Sequence, residues 1–256
     1  MPPNVHEGAR ADKNAQAGDC VRSLFVPDGS IEALKWIALL LMTGDHINKY
    51  LFNEKLPFLF EAGRLTLPLF VFVLAYNLAR PSALARGVYG RIMKRLLMSG
   101  LLASPAFIAL NRLAWGWWPL NIMFALLVVA MTMYLIERGN KDKCVYYYAA
   151  ALFVFVIGGS SVEFWWPVLA LGLAFWWYCK KPTWIGFLFV VVTCISIWII
   201  NRNLWALAAL PIIFACAQVD LHVLRLRWFF YAYYPAHLTV LWVIHICMSR
   251  YGYLFF

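Results

Sequence analysis

The sequence consists largely of apolar runs of about 20 residues, separated by short polar or basic stretches. A helix of that length crosses a bilayer, and inside lipid only helices and closed barrels satisfy all their backbone hydrogen bonds. With 64% apolar and 13% charged residues, a soluble domain of 256 residues would leave large apolar patches exposed to water. The pattern therefore predicts an all-α fold, a polytopic transmembrane helical bundle.

Nine spans give the best account of the runs, with eight or ten as alternatives because the Gly158-Gly159 pair could mark a kink or a loop. The predicted spans are 31–51, 58–79, 92–110, 119–136, 144–157, 162–178, 184–200, 204–219 and 228–248. We therefore expect one transmembrane domain at 31–256. The polar stretch at 1–30 has no apolar run near its start, so we expect a disordered or cytoplasmic tail.

Basic residues follow the topology of this nine-span arrangement. Most of the 22 Lys and Arg residues fall on the side that carries the N-terminus, which predicts a cytoplasmic N-terminus. They punctuate apolar runs, so the net charge of +10 does not indicate a nucleic-acid partner. The six cysteines form no C-x-x-C pair, and we expect no metal site.

The first polar cluster lies near the outer end of the first span, where Asp45 and His46 are adjacent. Ionisable groups inside a membrane are costly and mark functional sites. His46 is the best candidate for a general base, although an interfacial histidine facing water is the alternative. Consecutive helical residues point about 100° apart, so Asp45 is expected to pair with Arg64 or to cap another helix. Arg64 could itself bind an anion, or extend to the interface.

A second cluster combines an intramembrane amide with a basic loop. Its members are Asn77, Arg80, Arg86, Arg91, Lys94 and Arg95. Topology alone predicts cations on this side of the membrane. A phosphate-rich nucleotide would bind to the same cations, so membrane topology and nucleotide binding both account for the cluster.

The last predicted span contains His237, two residues after Pro235. A proline inside a membrane helix frees backbone carbonyls, and a buried histidine nearby either bonds between helices or lines a reaction channel. Counted from the cytoplasmic face, His46 should lie roughly 22 Å deep and His237 about 13 Å deep. We therefore expect the two histidines not to be level.

The order of these clusters resembles one known family. The first span ends in Asp-His-Ile-Asn, and Ala-Gly-Arg with Pro-Leu-Phe opens the second, which closes in Tyr-Asn-Leu-Ala-Arg. Asn-Ile-Met-Phe-Ala follows at Asn121, and the last span carries Tyr-Pro-Ala-His-Leu. From about Leu34 to Leu241 the chain resembles the TraX family of conjugative-plasmid membrane proteins, and more distantly the transmembrane acyltransferases.

The resemblance implies an acetyltransferase that moves acetyl from acetyl-CoA to the N-terminal amine of a membrane-embedded pilin. It implies catalytic roles for His46, Asp45, His237 and Arg64, with His46 as base and Arg64 or His237 stabilising the oxyanion. Donor-binding residues would be Asn77, Arg80, Arg91, Lys94, Arg95, Asn121 and Tyr234. A non-catalytic pilin maturation factor, an acyltransferase with another acceptor and a small transporter remain the alternatives.

Overall fold

The computed structural model describes residues 24–111, 113 and 116–252. In that part of the chain all regular structure is helical apart from one isolated β-bridge, so the predicted all-α fold is confirmed. Most of the predicted N-terminal tail, residues 1–23, lies outside the described residues. The α-helices are α1 Asp28–Leu51, α2 Pro57–Gly63, α3 Thr66–Ala79, α4 Val88–Asn111, α5 Ile122–Asp142, α6 Val145–Phe153, α7 Gly159–Ser161, α8 Trp165–Lys180, α9 Trp184–Ser196, α10 Trp198–Asn201, α11 Ala209–Ala217 and α12 Phe229–Arg250.

Within the described residues these helices group into nine segments that follow the nine predicted runs. Helices α2 and α3 form the second segment, and a π-helical turn at Val154–Gly158 joins α6 to α7 in the fifth. The Gly158-Gly159 pair thus accompanies a π-turn inside a continuous helix, and no loop separates the two parts. Four stretches are long and apolar enough to cross a membrane, namely Pro57–Ala79, Val88–Asn111, Ile122–Asp142 and Trp184–Asn201.

The two ends of the bundle differ in charge. At one end, which we call the basic face, α1 begins and Arg80 at the close of α3 pairs with Asp28. That guanidinium lowers the pKa of the Asp28 carboxyl through a hydrogen bond. At the other end, the opposite face, the chain before α5 pairs with the chain before α8 through a bridge between Leu120 and Val162. Successive segments therefore run in alternating directions between the two faces.

The core depends on close helix contacts made possible by small residues. Gly172 of α8 faces α5, and a Cβ at this position would lie 2.5 Å from a methyl group of Val129. Membrane helices gain little from apolar burial against each other, so van der Waals contact of this kind holds them together. The crossing of α5 and α8 supports α3, whose Phe72 is buried against Phe175.

This packing predicts that substitutions at two glycines differ in their effect on stability. Gly172→Ala should lower the stability by about 1 to 3 kcal/mol, because the added methyl overpacks the contact with Val129. Gly90→Ala in α4 is the matched control, since nothing lies within 4 Å of its Cβ position. Thermal unfolding of the purified protein in detergent measures both. Equal melting temperatures for the two variants would contradict the close contact of α5 and α8.

Candidate active site

Two histidines from the first and last helices meet inside the bundle. The Nδ1 atom of His46 lies 2.7 Å from Nε2 of His237, and the two rings are parallel to within 4°. His237 is buried, and His46 is partly buried. One turn earlier, the Thr43 and Tyr233 hydroxyls lie 2.9 Å apart and hold the same two helices together. We call the two histidines the dyad.

The expectation that these histidines lie at different depths is wrong. It assumed that both helices begin at the same face, but α12 begins deeper than α1. Phe229 is the first residue of α12, and its ring centroid lies 5.1 Å from that of Trp36, which is two turns inside α1. The start of α12 therefore lies about 12 Å deeper than the start of α1, which compensates for the difference in expected depth between His46 and His237. Because the two helices run parallel, their imidazole rings lie level.

Hydrogen bonds around His237 determine where the protons of the neutral dyad lie. Its Nδ1 is 3.0 Å from the Tyr233 carbonyl, which can only accept, so this nitrogen carries a proton. In a neutral ring Nε2 is then an acceptor, and Nδ1 of His46 must donate to it. The Nε2 atom of His46 is left with a free lone pair, which is the state that a general base requires.

Asp45 and Arg64 form an ion pair beside the dyad, which confirms the pairing expected from the sequence. Nη2 of Arg64 lies 2.8 Å from Oδ1 of Asp45, and each side chain is about one-sixth exposed. The remaining donors of Arg64 face the Phe60 carbonyl at 3.2 Å and the Asn201 amide oxygen at 3.4 Å. A Cβ on Gly63 would lie 2.5 Å from Asp45, so only glycine lets the end of α2 approach α1 this closely. The Gly44-Asp45 and Gly63-Arg64 motifs are therefore in direct contact.

A cavity of about 420 Å³ extends from the basic face toward the dyad. Its inner end is lined by Met42, Phe70, Met123 and Tyr234. The ring centroid of Tyr234 lies 5.5 Å from that of His237 and 6.4 Å from that of His46. Among the described residues, the cations that line its outer part are Lys35, Arg80, Arg86, Arg91, Arg95, Arg225 and Arg227. The cavity thus combines a cationic mouth with an apolar inner section that ends at Tyr234. The Tyr234 ring contacts both histidines, which do not themselves line the cavity.

Most of the predicted donor-binding residues come together in this cavity, and two do not. The lining includes Asn77, Arg80, Arg91, Arg95 and Tyr234.

Lys94 and Asn121 lie apart from the cavity lining. Lys94 is exposed on α4. Asn121 is buried and caps α5, accepting from the Met123 N–H at 3.1 Å and donating to the Gly100 carbonyl at 3.0 Å. Its amide therefore has a structural role in the bundle.

Several residues at the two ends of the site are not among the candidates predicted from the sequence. Lys35, Arg225 and Arg227 line the cavity mouth. Near the opposite face, Glu163 is partly buried and interacts electrostatically with Lys49. A signal for Glu163 was present, because it is the only carboxylate in the long apolar stretch between residues 142 and 220. Arg225 and Arg227 carried no signal apart from their charge.

The ion pair predicts strong coupling between its two members. Asp45→Asn or Arg64→Gln should each destabilise the protein by about 2 to 4 kcal/mol, because either change leaves a mostly buried charge without its partner. The double variant should cost less than the sum of the two, by 1 kcal/mol or more. Thermal unfolding of the three purified variants measures the coupling. Additive effects would show that the two side chains act independently.

Comparisons with known proteins identify the family of this chain. A family model described as TraX protein matches residues 30–245, which include the dyad, the ion pair and the cavity lining apart from Asp28. Protein TraX of Escherichia coli is 33% identical over 105 residues, which are 41% of this chain and 39% of that protein. The alignment therefore spans less than half of the curated relative. No solved structure matches the chain. On the family match over most of its length, the chain belongs to the TraX family.

Proposed function

We propose that this protein is a membrane-embedded acetyltransferase that transfers acetyl from acetyl-CoA to the N-terminal amine of a conjugative pilin. The observation that carries the proposal is the continuity of the site. One cavity leads from a cationic mouth through an apolar section to a ring that contacts both histidines of the dyad. A thioester donor with a phosphorylated head and a long neutral arm has the same order of chemical groups.

The cationic mouth supports a donor that carries several phosphates. Guanidinium groups form paired hydrogen bonds with phosphate oxygens, and six of the seven cations in the lining are arginines. Along α1, the distance from Lys35 to His46 is about 16 Å at the helical rise. The section between them is lined by apolar side chains such as Leu39 and Met42. An extended pantetheine arm would span this section and bring its thioester to the dyad.

The dyad supports general-base catalysis of the transfer. The acceptor nitrogen attacks the thioester carbon, so that a carbon–nitrogen bond forms and the carbon–sulfur bond breaks. The amine proton moves to Nε2 of His46 and then to the departing thiolate. His237 is hydrogen-bonded to His46 at 2.7 Å and to the Tyr233 carbonyl. In this proposal these two hydrogen bonds keep Nε2 of His46 unprotonated.

Asp45 and Arg64 take a positioning role in this proposal. The donors of Arg64 face Asp45, Asn201 and Phe60, so this arginine holds the end of α1 in place while His46 reacts.

The membrane orientation and the acceptor rest on charge and on family membership. Cations concentrate on cytoplasmic surfaces, so we place the basic face on the cytoplasmic side of an inner membrane, where the donor is made. The acceptor amine would reach His46 from the membrane or from the opposite face. A pilin in the membrane is the acceptor that TraX family membership suggests, and an acyltransferase with another acceptor is the alternative.

Substitution of the proposed base gives the direct test. His46→Ala should reduce acetylation of the cognate pilin by roughly 100-fold or more, because Nε2 of His46 is the atom that accepts the amine proton in this proposal. The intact mass of pilin from cells that express each variant measures the acetylated fraction. His222→Ala is the matched control, since His222 is exposed on the connection before α12 and lies away from the dyad.

Two outcomes would decide against the proposal. If pilin acquires no acetyl group even with the unchanged chain, pilin is not the acceptor. If His46→Ala lowers pilus output while pilin mass stays constant, the chain acts in pilin assembly without chemistry. Consumption of the thioester by the purified protein with other membrane amines or hydroxyls would indicate a different acceptor.

A further inference from the structure

The cations at the cavity mouth lie on two levels along the helices. Asp28 and Glu32 are the two carboxylates in the lining, and they lie four residues apart on α1. Arg91 and Arg95 are also four residues apart, on α4, and both line the cavity. Four residues correspond to about 6 Å along a helix. Asp28 pairs with Arg80 and Glu32 pairs with Lys35, while Arg225 lies between the two levels and interacts with both carboxylates.

The outer group contains Arg80, Arg86 and Arg91, together with Asp28. Arg80 pairs with Asp28, and Nη1 of Arg91 donates to the Arg86 carbonyl at 2.7 Å. Arg86 and Arg91 are exposed, and both line the cavity. One carboxylate offsets one of three cations, and two positive charges remain for a ligand.

The inner group contains Lys35, Arg95, Arg225 and Arg227, together with Glu32. Lys35 lies 2.6 Å from the buried Glu32 carboxylate, and Arg225 lies 3.9 Å from it. Arg95 lies over the ring of Trp228 and donates to the Arg227 carbonyl. These contacts hold the segment at 218–228 against α1 and α4. The inner group keeps three positive charges in excess.

The 218–228 segment is held in place by a close backbone contact. The Leu221 carbonyl lies where a side chain on Gly29 would begin, and the Ser30 hydroxyl donates to the Val219 carbonyl. Only glycine permits this approach at position 29. The segment therefore presents Arg225 and Arg227 to the cavity as a fixed part of its wall.

We propose that the cavity has two separate anion subsites, which recognise two different phosphate groups of one nucleotide thioester. The inner subsite lies nearer the dyad and holds the diphosphate from which the pantetheine arm leaves. The outer subsite, about 6 Å closer to the mouth, holds the 3′-phosphate of the ribose. A phosphomonoester carries nearly two negative charges, which matches the surplus of the outer group. This inference rests on the proposed function and adds that the protein selects donors with a 3′-phosphate.

The test compares the binding of coenzyme A and 3′-dephospho-coenzyme A to the purified full chain by titration calorimetry. The unchanged protein should bind coenzyme A about tenfold more tightly or better, because charge-assisted hydrogen bonds to the extra phosphate are lost in the other ligand. Arg86→Gln with Arg91→Gln should bring the two affinities together. Arg225→Gln with Arg227→Gln should weaken both ligands by about tenfold or more and leave their ratio unchanged.

Lys141→Gln is the matched control, because Lys141 is exposed near the end of α5 outside the cavity and both affinities should stay constant. Equal affinity of the unchanged protein for the two ligands would overturn the outer subsite while leaving the proposed function intact. A ratio that the inner pair alters, or that the outer pair preserves, would overturn the assignment of the phosphates. Failure of the unchanged protein to bind coenzyme A would overturn the proposed function as well.

Discussion

The cost of a charge inside an apolar bundle is the constraint on which this structure depends. Asp45 and Arg64 meet that cost by pairing at 2.8 Å, and the glycine that precedes Arg64 allows the approach. The pair fixes α1 against the start of the second segment. His46 follows Asp45 directly, so its ring is directed toward α12, where His237 supplies the second partner. A pairing required for stability therefore also orients His46.

The sequence contained enough information to predict the fold. Lipid requires long apolar helices, and each predicted span coincides closely with one helical segment. The ion pair was also predictable, because an acid and an arginine near one face of adjacent spans have few other partners. The cationic mouth could be predicted in part. Arg80, Arg91 and Arg95 share one loop and the helix that follows it, so local order along the chain brings them together.

The remaining features depend on contacts between segments distant in the chain. The depth of His237 depends on where α12 begins, and the preceding segment at 218–228 delays that start by two turns of α1. A hydropathy pattern carries no information about such an offset. The same segment brings Arg225 and Arg227 to the cavity, although the chain places them far from Arg95. Asn121 caps α5 and lies outside the cavity lining, a position that depends on how α4 packs against α5.

The parallel course of α1 and α12 gives the site a defined length. Both helices run from the basic face, and their contacts follow the same order along each helix, from Trp36 with Phe229 to His46 with His237. Asp28, Glu32, Lys35 and His46 all lie on α1, so the distances from the two carboxylates at the mouth to the dyad are set by the helical rise. Under the proposed function, a donor held by its phosphates would reach the dyad only if its arm had one particular length. Selection by length at the inner end and by charge at the mouth would act on the same molecule, and a simple acyl phosphate would satisfy neither.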